Sequence, residues 1–596
     1  MPPNGPIVLF WHRTDLRLHD NPALKAALDL KPSIFIPIFT WDPHYVYRAR
    51  VGPNRWQFLI ECQNDLSTSY SKLNAKQKLW IVRDAPQTIL PKLWKAWNIT
   101  HLVFAKETDA YARDRDDEVV QLAEKAGVKV IIRNGRTLFD PDEVVRWNHG
   151  EPPMSITQLQ KATEKINDGI PDQPVDPPSR IPDPWADDQM NLRTLDHDPP
   201  TACPDLNAIH RTQTNTQFQH LAGPQHSFAI PALSDLGIDP AQATTPHHGG
   251  ESRALQALTS YLHDSEYIST FEKPHTSPAA FSPPSTTLLS PHLHFGSLSV
   301  RKFYWDVHNV LSHRQAHHHH QPISHPPTNL PGQLLFREMF FAAQAALGHT
   351  YAHTRGNKIA RFIPWHLQSN YYPPNGTTDG TYTIDDPIAE TYFRRWKHGQ
   401  TGFPWIDALM RQLRQEDEPA SNLGNWMWLS CTAFFAQYHR CYSPIAFGKK
   451  WDPEGRFVRR YCPELRHFDK KVIYEPWKAS VEEQREWGCL IRGDGREGKG
   501  EGEREEGLAV YPEPMFDFDE RREVCLAKMK EAYEVGLHGD DEKVMDGSWK
   551  GVFGFEVKDG RVRDEMDGNG EDHSNNGKRG RGEDGNQQEH PTKKRK

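Results

Sequence analysis

A hydroxyl-rich run, Ser285-Thr286-Thr287-Leu288-Leu289-Ser290, stops at Pro291. Its hydroxyls and backbone amides can ring a pyrophosphate. The same residues also read as an ordinary helix N-cap, with Ser290 ahead of a proline. A second stretch, residues 449–471, holds eight Lys and Arg against four acidic residues. Such cations grip phosphates without reading sequence and make binding salt-dependent; a solvated loop of mixed charge has the same composition. Residues 426–435 (WMWLSCTAFF) are apolar all round, the pattern of a buried helix. The eighteen tryptophans are many for 596 residues, and core packing accounts for most of them. The His run 317–320 sits among Pro, Ser and Gln, which makes it a surface loop rather than a metal site. Seven cysteines include no CxxC pair, so reduced thiols and an intracellular protein are expected, with no metal.

The elements that must position these residues fall into blocks. Residues 7–13, 33–41, 79–83, 101–105 and 128–133 read as short buried strands. Helical stretches such as 55–66 and 113–126 lie between them. This alternation predicts an α/β domain over 1–140 with a doubly wound parallel sheet, whose ligands sit beyond the strand carboxyl ends. No GxGxxG follows the first strand, so a Rossmann dinucleotide site is unsupported. Residues 141–250 are rich in Pro, His and Thr, with eight prolines between 171 and 200, and read as a long surface connector. An all-α domain follows over 251–537, broken by irregular inserts at 312–331, 368–388 and 494–507 and closed by a helix near 520–537. The remainder, 538–596, reads as a disordered tail.

The composition narrows the function classes. With 37% hydrophobic and 25% charged residues and no run of eighteen apolar residues, a spanning helix is excluded. The N-terminus lacks the regions of a signal peptide. A net charge of −8 means that any nucleic-acid surface must be local. The tail carries Lys578-Arg579 and, after a spacer, Lys593-Lys594-Arg595-Lys596, which resemble a bipartite nuclear import signal. Nuclear localisation through an import receptor is the expectation.

Several motifs, in order, carry a family resemblance: IVLFWHRTDLRLHDN (7–21), FEKP (271–274), PSTTLLSPHLHFG (284–296), GQLLFRE (332–338), TGFPWIDA (401–408), NLGNWMWLS (422–430), RRY (459–461) and YEPW (474–477). Together they resemble the photolyase/cryptochrome family over roughly 7–139 and 250–535, closest to the (6-4) photolyases and animal-type cryptochromes. The resemblance implies an FAD site lined by Thr286, Thr287, Leu288, Leu289, Ser290, Gln333, Arg337 and Asn422. It implies an electron relay through Trp426 and Trp365. It also implies a surface for UV-damaged DNA, with Phe336 and Trp428 at the lesion and Lys449, Lys450, Arg459, Arg460, Lys470 and Lys471 toward the phosphates. Gln333 stands where cyclobutane-dimer photolyases carry Glu, and Phe336 replaces the usual Trp. A second antenna chromophore, folate or deazaflavin, is implied without a signature. A monomer is expected.

One departure stands out. Relative to the family, about 35 to 40 residues are missing between Glu416 and Asn422, a large loss from a packed core. That piece would carry the paired His of (6-4) acid/base chemistry and the middle tryptophan of the relay. The leading expectation is light-driven, FAD-dependent repair of UV photoproducts in DNA, (6-4) type favoured. The alternatives are a cryptochrome-type photoreceptor without repair and a flavin-free DNA-binding paralogue or misassembled gene product.

Overall fold

The computed structural model describes residues 5–48, 51–192, 222–223, 226–317, 322–369, 382–384, 386–416, 427, 430–432, 438–493, 507–554, 556–558 and 561–563. Five strands, β1 (Ile7–His12), β2 (Ile34–Trp41), β3 (Trp80–Arg83), β4 (His101–Ala105) and β5 (Lys129–Arg133), form one sheet in the order β3-β2-β1-β4-β5. Every pairing is parallel, with Leu9 facing Ile36 on one side and Leu102 on the other. Each expected strand appears within one residue of its start. Side chains alternate across a strand, so the sheet has two apolar faces. Val8, Phe10, Phe35 and Ile81 pack against helices α1 (Pro22–Asp29) and α2 (Pro53–Leu73). Leu9, Trp11, Ile36 and Val82 pack against α3 (Pro86–Ala96) and α4 (Ala110–Lys125).

The turn after β1 positions the second layer. His12, Arg13, Asp15, Arg17, His19, Asp20 and Asn21 are all buried there. Asn21 caps α1 through Leu24 N–H at 3.0 Å, with Pro22 where a missing N–H costs nothing. Asp15 accepts from Arg13 N at 2.9 Å and Asn21 Nδ2 at 3.0 Å. Burial works to raise this carboxyl, but His12, the Arg13 amide and Arg17 outweigh it and hold it well below the usual carboxylate range.

The connector is more structured than its composition suggests. Helices α5 (Pro141–Trp147) and α6 (Ile156–Thr163) lie within it, and Val144, Leu159 and Ala162 join the core of the helical half. Pro141 is tolerated because it occupies the first turn, behind the Asp140 cap. Beyond them the chain runs extended across the sheet domain: Asp20 N–H bonds Val175 O at 3.2 Å and Phe35 N–H bonds Asp183 O at 3.1 Å. Residues 226–243 return to the same domain, where Phe228 packs edge-on against Trp80 and Leu233, Leu236 and Ile238 enter the core.

The helical half contains α7 (Glu251–His263), α8 (Ser265–Thr270), α9 (Ser290–Phe295), α10 (Val300–His317), α11 (Leu330–Leu347), α12 (Pro387–Lys397) and α13 (Pro404–Glu416). The insert expected from 312 starts later, because α10 continues to His317; residues 318–321 lie outside the described residues. The 368–388 insert carries part of an antiparallel strand pair, Leu367–Ser369 with Tyr382–Ile384. Of the 494–507 insert only Gly507 is described. Fully buried Asp407 fastens the start of α13: it accepts from Thr401 N and Oγ1 at 2.7 Å, Gly402 N at 3.0 Å and Tyr511 Oη at 2.5 Å.

The tail expectation is corrected at its near end. After the helix Phe518–Val535, residues 536–548 remain part of the same compact unit. Gly539 N–H bonds Ala360 O at 2.9 Å, and Val544 is fully buried on a turn capped by Asp541. Residues 549–596 form a second unit, whose described part holds the helix Trp549–Val552 and an antiparallel pair, Glu556–Lys558 with Arg561–Arg563. The two basic clusters lie outside the described residues.

Candidate cofactor and nucleic-acid site

The hydroxyl-rich run lies in the helical half, just ahead of α9. Ser285 Oγ donates to Ser277 O at 2.8 Å and accepts from Ser277 N at 2.9 Å. The Tyr261 and Tyr267 hydroxyls reach the carbonyls of Thr286 and Ser285, both at 3.4 Å. Leu288 adopts φ +51°, which turns the chain into α9. The cap reading of Ser290 is not what the structure builds: α9 starts at Ser290 behind Leu289 and has no side-chain cap. Among the described residues, nothing hydrogen-bonds the hydroxyls of Thr286, Thr287 or Ser290. Leu289 is buried and packs into the core of the helical half. At the other end of α9, Gly296 has φ +70°, and a Cβ there would overlap the Thr14 carbonyl. Only glycine lets the helix approach the β1 turn so closely.

Helix α11 presents three of the expected residues. Gln333 is half-buried and donates from Nε2 to Pro327 O at 3.1 Å. Phe336 packs between the main helical core and a cluster that includes Phe340, Tyr351 and Met427. Met427 lies between the expected Trp426 and Trp428; those two and Asn422 fall outside the described residues. Arg337 is committed to the junction of the halves, donating to Arg136 O at 2.9 Å and Leu293 O at 3.4 Å. Burial pushes its guanidinium down to about 10 and pushes adjacent Glu338 up to about 7. Nearby His294 is held well below its ordinary value by burial and by Arg55, Arg136 and Arg337, so its Nε2 accepts from Arg55 at 2.6 Å. Trp365 follows buried Phe362 and Ile363 and is 38% exposed.

The basic stretch reaches the same neighbourhood. Ser277 Oγ donates to Trp451 O at 2.9 Å, and the Arg460 guanidinium lies 4.3 Å over the Phe281 ring. The structure therefore brings residues 277–286 together with 451–461. Most of the cations are already engaged within the fold. Lys449 pairs with Glu475 at 2.6 Å, Lys470 with Glu454 at 2.8 Å and Arg460 with Glu416 at 3.5 Å. Arg459 donates to the carbonyls of Arg466 and Phe468. Lys450 lies over the Trp451 ring at 4.9 Å, and Lys471 is exposed.

A buried clasp that no motif announced holds the halves together. Glu251, at the start of α7, accepts from Leu18 N at 2.9 Å, His19 N at 2.8 Å and His19 Nδ1 at 2.5 Å. His19 Nε2 in turn accepts from Ser299 N at 3.0 Å, which sets its tautomer. Arg301 pairs with Asp20 at 2.5 Å. The density of buried polar residues in HRTDLRLHDN, unusual beside an apolar strand, was the one available signal. Beyond the strand ends, where an antenna chromophore is expected, His44 stacks on Tyr111 at 3.6 Å and Tyr111 donates to Asp42 at 2.7 Å.

Comparison with known proteins places this arrangement. The family model for DNA photolyase matches residues 8–179. The FAD binding domain of DNA photolyase matches in two pieces, 330–417 and 416–531. Cryptochrome-2 of Gallus gallus is 32% identical over 566 residues, covering 88% of this chain and 83% of the relative. The (6-4)DNA photolyase of Arabidopsis thaliana is 32% identical over 581 residues, covering 89% of each. Among solved structures, a Synechocystis cryptochrome superposes with a TM-score of 0.64 at 22% identity, covering 89% of this chain and all of its own. A class III photolyase from Agrobacterium tumefaciens gives 0.62 at 21%, covering 90% and 99%. No helix among the described residues is long and apolar enough to cross a membrane. The hydroxyls of Thr286, Thr287 and Ser290, ahead of the segments matched by the FAD-binding model, are of the donor type that could hold the diphosphate of FAD. The chain is a member of the photolyase/cryptochrome family of flavoproteins.

Proposed function

We propose that this protein repairs UV photoproducts in DNA under blue light, with the (6-4) photoproduct as the favoured lesion. The observation that carries this reading is that the loop leading into the hydroxyl run meets the cationic, aromatic stretch, at Ser277–Trp451 and Phe281–Arg460. A phosphate-bearing cofactor and a phosphate-bearing polymer can then be held side by side. When bound, reduced FAD supplies the excited-state electron that opens the lesion. Thr286, Thr287 and Ser290 would hold its diphosphate, and Gln333 and Asn422 would line the rest of its site. Exposed Trp365 would take electrons from outside and pass them through Trp426 to restore the reduced state. Phe336 and Trp428 offer flat faces to the extruded bases. Lys450 and Lys471 meet the flanking phosphates ahead of the ion-paired Lys449, Arg460 and Lys470. The basic clusters at 578–579 and 593–596 would address the protein to the nucleus through an import receptor.

No His lies between Gln412 and Tyr438, so the chain lacks in that stretch the His that the resemblance assigns to acid/base chemistry. Such a group is worth about 10²–10⁴ in rate, and repair should be slow by that margin. The test is a light-dependent assay on oligonucleotides carrying a single defined lesion, with bound FAD measured on the same sample. Restored bases from the (6-4) substrate in light but not in darkness support the reading. Flavin-loaded protein that binds damaged DNA without repairing either lesion refutes it.

A photoreceptor role is the second reading, and one observation favours it. Phe362 N–H bonds Leu537 O at 2.9 Å, and Arg361 bridges His538, so the C-terminal segment is zipped beside Trp365. Light-dependent loss of amide protection over residues 538–548, in a flavin-loaded protein without repair, would identify it. Protein purified without flavin would point instead to a DNA-binding paralogue.

A further inference from the structure

Strand β5 is the outermost strand on its side of the sheet and the least buried of the five. Among the described residues, β4 is its only strand partner. Lys129 N–H bonds Thr100 O at 3.0 Å, and Arg133 O accepts from Lys106 N–H at 2.9 Å, so the odd-numbered residues turn their peptide groups toward β4. Val130 and Ile132 therefore turn theirs away from the sheet, where the Ile132 carbonyl accepts from the Arg133 guanidinium at 2.9 Å. The side chains of these two share the α4 face, and Val130 packs with the core on that side. Lys129, Ile131 and Arg133 share the opposite face, with both cations exposed. A groove of about 580 Å³ runs along this edge, with Val120, Glu124, Val128, Val130 and Ile132 in its lining, and Ile132 is 38% exposed. An edge with outward peptide groups and an apolar flank is a template for one more strand.

The charges decide which strand. Two copies of this edge, paired antiparallel about Ile131, would set Lys129 of each across from Arg133 of the other, and like charges directly opposite repel. The same two cations attract a strand with carboxylates at those positions. Glu124, in the groove on the α4 face, disfavours acids on that side, so the acids must alternate with apolar residues that cover Val130 and Ile132. We propose that the β5 edge docks an extended segment of a partner protein as a sixth strand, with its carboxylates opposite Lys129 and Arg133 and β-branched residues between them.

The probes are two N-acetylated, C-terminally fluorescein-labelled peptides, SEVTVES and SKVTVKS, each reading the same in both directions so that parallel and antiparallel docking are sampled alike. Against the full-length protein, fluorescence anisotropy should show the acidic peptide binding about tenfold more tightly than the basic one, because two attractive cross-strand pairs replace two repulsive ones. High salt should narrow the difference. Exchanging both cations, Lys129→Glu with Arg133→Glu, should reverse the preference; both side chains are exposed, and an unchanged circular dichroism spectrum and melting temperature check the fold. Residue-resolved amide exchange should be fast at Val130 and Ile132 in the protein alone, slow at Ile131, and slow at all three with the acidic peptide. Binding of neither peptide, equal binding of both, or a preference that survives the double exchange overturns the proposal. So do Val130 and Ile132 amides already protected in the free protein, which would mean that this chain or a second copy covers the edge.

Discussion

Replacing Glu251 by Ala should loosen the two halves of the molecule by a calculable amount. The carboxylate is buried and accepts from the Leu18 and His19 amides and from His19 Nδ1. Alanine leaves these three donors without an acceptor. Each stranded buried donor costs about 1–3 kcal/mol, and water admitted to the new space recovers part of it. A net loss of about 3–5 kcal/mol matches the usual cost of breaking a buried charged network. At roughly 2.1 cal/mol/K per residue, about 500 ordered residues unfold with an entropy near 1 kcal/mol/K. The melting temperature should therefore fall by about 3–5 °C. Glu251→Gln keeps one acceptor oxygen but turns an amide N–H₂ toward donors, so it should fall between parent and Ala. The assay is tryptophan-fluorescence unfolding of FAD-loaded protein at one fixed scan rate. Both variants melting within about 1 °C of the parent would show that the clasp carries no net stability, and the accounting would be wrong.

Other expectations follow from the same geometry. Burial holds Glu338 near 7 against an ordinary 4.5, so protonation favours the folded state. That stabilisation is complete below about pH 4.5 and is lost as pH rises through about 7, a swing of about 3 kcal/mol. Glu338→Gln should flatten the stability profile between pH 5 and 8, and denaturant titrations across that range read it directly. Thr286→Val and Thr287→Val each remove a hydroxyl suited to a phosphate oxygen, worth about 1.5–3 kcal/mol. FAD affinity should drop about 10- to 100-fold per substitution, measured by flavin retained after gel filtration. Lys471→Ala should lower the slope of log affinity for DNA against log salt by about 0.9. Lys470→Ala should change it less, because that ammonium already sits on Glu454. Equal slopes for the two variants would remove the distinction between free and paired cations.

Local pattern made some of this molecule legible and left the rest hidden. The strands announced themselves because a parallel sheet buried on both faces needs short apolar runs, and IVLFWH and IFIPIFTW are such runs. Helix α5 was missed because its residues were assigned to the connector on overall composition, while Pro141 occupies the first turn, where it breaks nothing. The charge count over 449–471 could not show which of its cations are paired, for a different reason. Glu416 and Glu475 lie outside that window and Glu454 inside it, and folding sets each against a cation. Nothing local to Glu251 foretells its bonds to Leu18 and His19, more than two hundred residues earlier. Side-chain pairing at that separation belongs to the topology, and only the topology reveals it.

The family resemblance implies a shortened route after α13, and the described residues show how that end of the helix is held. The two pieces of the FAD-binding match meet at 416–417, where α13 ends. That end is held from three sides. Gln415 O accepts from Asn54 Nδ2 at 3.1 Å and from the Thr244 hydroxyl, tying it to the sheet domain and the connector. Glu416 accepts from Tyr461 Oη at 2.6 Å and Gln412 Nε2 at 3.0 Å and pairs with Arg460. Helix termini leave backbone carbonyls without intrahelical partners, and a terminus stripped of its continuation would show them orphaned. Here a terminal carbonyl and the last side chain are both satisfied by residues far away in sequence. The interior of the helix is equally well seated, since Trp405 and Ala408 pack with Phe457, Val458 and Tyr461. The described elements on the near side of the junction are thus held by contacts among themselves, and residues 417–426 beyond it lie outside the described residues. What the resemblance assigns to that segment is chemistry at the flavin, so a chain without it should show the loss in repair rate and in photoreduction of the flavin.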